Sequence, residues 1–68
     1  MKREQAKKIV GRNRRHNHAM ARALQIHHWR NTPEEWLRLA ALKSLGFRVV
    51  VEIPEPYRNI SEVMEAAQ

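Results

Sequence analysis

The chain has 68 residues, no cysteine and a formal net charge of +6 at neutral pH. A chain of this length makes one small domain, burying only ~60% of its unfolded surface and marginal on its own, and without cysteine it can form neither disulfides nor thiolate metal sites, so oligomerisation is the simplest remaining source of stability. No run of ~18 apolar residues is present to span a membrane, no continuous apolar stretch follows the basic start to make a secretory signal, and a catalytic pocket, typically ~300 Å³ or more, is more than so small a core is expected to wall.

Residues 3–28 read as helix with a weak point in the middle. Ala6, Ile9, Val10, Asn13, Asn17, Met20 and Leu24 fall on one stripe, and Arg3, Lys7, Lys8, Arg12, Arg14, Arg15 and Arg22 on the opposite arc, which is an amphipathic helix with a basic back. Asn13 and Asn17 interrupt the stripe, and Gly11 costs ~1 kcal/mol relative to alanine in a helix interior. Residues 1–16 are therefore expected to be a basic arm or helical extension that orders on binding, ahead of a single small dimerising domain at 17–68 whose first helix is capped by Asn17.

Charge is divided unevenly along the chain. Residues 1–30 carry nine lysines and arginines against Glu4 alone, a net of +8, while residues 31–68 sum to −2. One dense sign of charge builds a field that attracts polyanions. Lysine and arginine neutralise phosphates, and arginine forks onto them, so Arg3, Lys7, Lys8, Arg12, Arg14, Arg15 and Arg22 are the candidate nucleic-acid contacts, with Asn13, Asn17 and His16 able to reach base edges. The same field would attract an acidic protein surface. No helix-turn-helix, zinc-finger or RNP pattern supports sequence-specific readout.

Asn31-Thr32-Pro33-Glu34-Glu35 is a strong helix start. Thr32 caps, Pro33 occupies the first helical position, and Glu35 completes a capping box. The helix runs from 33 to Leu45, and Gly46 ends it as a C′ glycine. Its apolar residues, Trp36, Leu39 and Leu42 among them, spread round more than one face, so several sides need cover. Trp29 and Trp36 flank the turn, either packed together across the helix corner or with one ring exposed as an interface anchor.

Phe47, Val49, Val51 and Ile53 then alternate with Arg48, Val50 and Glu52, a period-two pattern rich in β-branched residues that predicts a strand ended by Pro54 and Pro56. A lone strand needs a ladder. Two-fold pairing about Val50 sets Arg48 opposite the Glu52 of a second copy, a self-complementary arrangement suited to a homodimer. The interface candidates are thus Trp36, Leu39, Leu42, Phe47, Val49, Val50, Val51 and Ile53. Asn59-Ile60-Ser61-Glu62 opens a short C-terminal helix.

No catalytic set emerges. Ser44 and Ser61 lie outside any nucleophile elbow, and no glycine-rich loop exists. His16-Asn17-His18 spells the name of a nuclease motif without the ββ-hairpin framework such nucleases need. His16, His18, His27 and His28 include no i, i+4 pair, so no metal or other cofactor is expected within one chain, and a site shared across a dimer is the arrangement left open.

The stretch Ala21-Arg-Ala-Leu-Gln, followed by His28-Trp-Arg-Asn-Thr-Pro-Glu-Glu-Trp-Leu-Arg-Leu-Ala-Ala41, resembles segments of short accessory proteins of temperate bacteriophages. It covers about a third of the chain. The resemblance implies a non-enzymatic protein that binds a host or phage macromolecule, as regulators, host-takeover inhibitors and anti-defence proteins do, and carries over no functional residue.

These readings define an α+β, mainly helical chain: basic N-terminal helix, central helix, one strand paired in a homodimer, short C-terminal helix. The expected function is a cytoplasmic, non-enzymatic regulatory or accessory protein that binds nucleic acid through its basic segment, with no small-molecule substrate. The alternative is an inhibitor or adaptor that engages a host protein through its apolar helix or strand edge.

Overall fold

A computed structural model describes residues 1–58. Four helices follow one another: α1 (Arg3–Val10), α2 (Arg14–Ile26), α3 (Pro33–Ser44) and the single turn α4 (Glu55–Arg58), with a 3₁₀ turn at His28–Arg30. Helix α3 is the centre, and α1, α2 and α4 all pack against it. The expected C-terminal helix from Asn59 lies outside the described residues.

The break in the basic N-terminal segment falls at Gly11. Its φ of 78° and ψ of −173° lie in a region that is essentially restricted to glycine, and its N–H closes α1 on the Lys7 carbonyl at 2.7 Å. Asn13, not Asn17, caps α2: its side chain accepts the His16 N–H at 2.9 Å. Asn17 is buried one turn on, and its Nδ2 donates to the Gly11 carbonyl at 3.0 Å. Both asparagines that interrupt the apolar stripe are thus structural, one as a cap and the other as a tie between α2 and the turn. Helix α1 does not project as an arm. It docks on α3 with Ala6 fully buried and Val10 nearly so.

Helix α3 begins as its sequence requires. Glu35 N–H donates to Thr32 Oγ1 (3.2 Å), and Thr32 N–H donates to Glu35 Oε1 (3.0 Å). The backbone acceptance holds the Glu35 carboxyl below its ordinary pKa, with the Thr32 hydroxyl adding to the effect. At the other end, Gly46 N–H donates to the Lys43 carbonyl and Phe47 N–H to the Leu42 carbonyl, a full Schellman motif with Gly46 at φ 93°. Leu39, Ala41 and Leu42 are inaccessible to solvent and Trp36 is 8% exposed. The chain covers its own central helix.

The sequence pattern predicts an α+β fold with one strand, and this is incorrect: the described residues contain no strand and no sheet, and the fold is all-helical. Residues 47–53 are extended and bury one face. Phe47, Val49 and Val51 lean on the core and Ile53 is buried, while Arg48, Val50 and Glu52 are exposed. What replaces the ladder is a side chain. Gln25 on α2 accepts the Val50 N–H and donates to the Arg48 carbonyl. The pairing of copies about Val50 falls with the strand, because the Val50 amide is already taken within the chain. Glu52 lies 3.9 Å from Arg58 of the same chain, an exposed pair of little energetic weight.

Candidate nucleic-acid interface

The turn at Gly11 brings α1 and the start of α2 to the wall of one space, and the Schellman turn brings residues 45–47 to the same place. A cavity of about 390 Å³ forms between them, with Arg3 and Lys7 from α1, Arg12 from the turn, Arg14 and Asn17 from α2, and Leu45 to Phe47 in its wall. A second cavity, about 570 Å³, shares Arg14, Gly46 and Phe47 with the first and adds Arg15, His18 and Arg48. A third, about 330 Å³, shares His18 and Arg48 with the second and adds Arg22, Gln25 and Val50. The shared walls make one open trough along α2. A chain this small does form concavities of ligand size, because three segments meet at a corner rather than closing round a core.

Among the described residues, none that lines the three cavities is acidic. Lys7 is 3.5 Å from Glu4, one turn earlier on α1, while Arg3, Arg12, Arg14, Arg15, Arg22 and Arg48 form no ion pair among the described residues. Six guanidinium groups on one surface, none ion-paired among the described residues, raise the local potential and concentrate anions there.

Six of the seven residues expected to contact nucleic acid are therefore brought together. The seventh, Lys8, is exposed and lines none of the three cavities. Sequence reasoning missed Arg48. Read as the outer face of a strand, it carried no sign that it would meet α2, and the Gln25 contact that places it there joins residues 23 positions apart. Asn17 lines the first cavity as well, only 2% exposed, and its Oδ1 accepts no hydrogen bond.

The expected interface residues lie elsewhere. Trp36, Leu39, Leu42 and Ile53 are buried in the core, Phe47, Val49 and Val51 are half-buried against it, and Val50 alone of that set is 73% exposed. Trp36 stacks on Tyr57 with ring centres 6.4 Å apart. Trp29 is 68% exposed, its ring meeting the edges of His27 and His28. The described residues contain no group of three or more His, Cys, Asp or Glu that could hold a metal, and no helix long and apolar enough to cross a membrane. No protein-family model matches the sequence, nor does any curated protein or solved structure.

Proposed function

We propose that this protein is a non-enzymatic nucleic-acid-binding protein and that the trough along α2 takes the sugar–phosphate backbone. The observation that carries this reading is the run of contiguous cavities lined by cations from four separate parts of the chain and, among the described residues, by no acid. Helix α2 has 13 residues, about 20 Å at 1.5 Å rise per residue. That length accommodates several consecutive nucleotides of one strand. A concave groove with an aromatic residue in its wall suits a single strand, whose bases are free to stack. Phe47 is that residue. The trough offers no rigid array of base-reading groups, so binding is expected to show little sequence preference.

Anisotropy titrations of labelled oligothymidine and of a duplex, at several salt concentrations, test this. Binding should weaken steeply with salt, with a slope of about −0.7 per phosphate neutralised on a single strand. Absence of binding at tens of micromolar by folded protein rules the reading out.

A second reading, an adaptor or inhibitor that engages a protein, is favoured by one observation: Ile26, Trp29 and Val50 are large apolar side chains left more than 60% exposed. Such a partner would engage these residues rather than α3, which is buried. Pull-down from lysate with and without nuclease separates the two readings, since a stoichiometric protein band that survives nuclease favours the second.

A further inference from the structure

We infer that the first cavity is an end-binding site, which takes the terminal phosphate monoester of a nucleic-acid strand while the rest of the trough takes the nucleotides that follow. The inference rests on the nucleic-acid reading above and adds to it a specific ligand group.

Charge is graded along the trough. Arg3, Lys7, Arg12 and Arg14 converge on the first cavity, Arg14, Arg15 and Arg48 on the second, and Arg22 and Arg48 on the third. An internal phosphodiester carries one negative charge, whereas a phosphate monoester carries about −1.5 to −2 and presents three terminal oxygens. The densest cation cluster therefore matches the most highly charged group a strand possesses, and arginine forks suit its oxygens. Helix α1 contributes to the first cavity and to neither of the others, which makes α1 the end wall. A strand lying along α2 terminates there.

Two further features belong to the same cavity. Arg14 is the first residue of α2, a 13-residue helix; the Asn13 side chain accepts the His16 N–H and its carbonyl the Asn17 N–H, which leaves the Arg14 and Arg15 N–H groups at the helix start, where an anion is favoured. Asn17 supplies the second feature. Its Nδ2 is fixed on the Gly11 carbonyl, so its buried Oδ1 has a set direction and no donor. Movement of the wall on binding would open this acceptor to an N–H or O–H, either from the strand or from a neighbouring guanidinium of the same wall.

The test compares three single-stranded oligothymidines of about ten nucleotides, labelled internally, with a 5′-phosphate, a 3′-phosphate or hydroxyls at both ends. One phosphorylated form should bind about tenfold more tightly than the hydroxyl form, and which one does so gives the polarity of the strand in the trough. Arg3→Ala with Lys7→Ala should collapse that ratio towards one, whereas Arg22→Ala should weaken both oligonucleotides and leave the ratio intact. If the double variant loses helix content, Lys7→Ala alone serves, with a partial loss of the ratio expected. Equal affinity for all three oligonucleotides, with binding measurable, overturns the end site and leaves the nucleic-acid reading standing. No binding of any of them overturns both.

Discussion

The Val50 N–H donates to Gln25 Oε1 at 2.8 Å, and Gln25 Nε2 donates in turn to the Arg48 carbonyl at 3.0 Å and to the Ala21 carbonyl at 2.9 Å. In a parallel sheet, one residue of the neighbouring strand bonds the carbonyl of residue j−1 and the N–H of residue j+1. The Gln25 carboxamide makes that pair of bonds with residues 48 and 50, and so takes the place of one residue of a strand. It also fixes Arg48 against α2, inside the trough.

Gln25→Leu removes all three bonds while keeping the side chain's size. The Arg48 carbonyl and Val50 N–H are exposed and regain water, while the Ala21 carbonyl is part-buried; at about 1 kcal/mol per bond the net loss is roughly 1–3 kcal/mol in total. Urea denaturation should show a lowered midpoint. An unchanged midpoint would mean that the extended segment is held by its apolar face alone.

Gly11→Ala should destabilise by about 1–3 kcal/mol. A methyl group at this position meets nothing within 4 Å, so the cost comes from the backbone conformation and not from a clash. The same turn sets Arg3 and Lys7 opposite Arg14, so a variant that relaxes it should also lose nucleic-acid affinity. Thermal unfolding read beside anisotropy distinguishes this from a purely local effect, in which stability falls and affinity holds.

Leu39→Asp should abolish the fold. Leu39 is inaccessible to solvent at the centre of α3, and an unpaired buried carboxylate costs several kcal/mol, comparable to the total stability of a chain this size at ~0.05–0.15 kcal/mol per residue. Far-UV circular dichroism should show the helical signal lost. Retention of that signal together with a change in oligomeric state would instead place Leu39 at an interface between chains.

How much of this was legible in the sequence depends on whether the determining contact is local. Thr32, Pro33 and Glu35 specify the start of α3, and Gly46 its end, because capping and the Schellman turn involve residues within one or two turns of each other. The alternation from Phe47 to Ile53 correctly separates the buried face from the exposed one. Period two, however, reports an extended chain with one covered face; it does not report what bonds the backbone. That is decided by Gln25, more than twenty residues away. The trough is non-local for the same reason. A helical wheel places Arg3, Lys7, Arg12 and Arg14 on one broad arc, but only the turn at Gly11 gathers them round a single volume.

Acidification should remove a contribution made by the α3 capping box. The Glu35 carboxyl is held below its ordinary value of 4.5 by the Thr32 N–H and hydroxyl. A depressed folded-state value means stability that is fully present above the unfolded value and is lost as pH falls through the folded one. The loss should therefore begin near pH 4.5 and finish below it. Glu35→Gln keeps an acceptor for the Thr32 N–H and has no charge to titrate, so its unfolding midpoint should vary less with pH across that window. Parallel pH profiles for the two proteins would refute the assignment.

Replacing Arg12, Arg14 and Arg15 with alanine should weaken nucleic-acid binding through electrostatics alone. All three side chains are exposed and line the first or second cavity, and none forms an ion pair among the described residues, so the fold loses little when they are truncated. On a single strand each phosphate neutralised contributes about 0.7 to the slope of log K against log salt. The triple variant should therefore flatten that slope by up to about 2, with the wild-type and variant curves converging at high salt, where counterion release no longer favours binding. Far-UV circular dichroism checks that the helices persist. An unchanged slope with weakened binding would mean that these arginines support the trough's shape rather than touch phosphate. An unchanged slope and affinity together would remove the first two cavities from the nucleic-acid surface and leave the exposed Ile26, Trp29 and Val50 as the better-supported contact face.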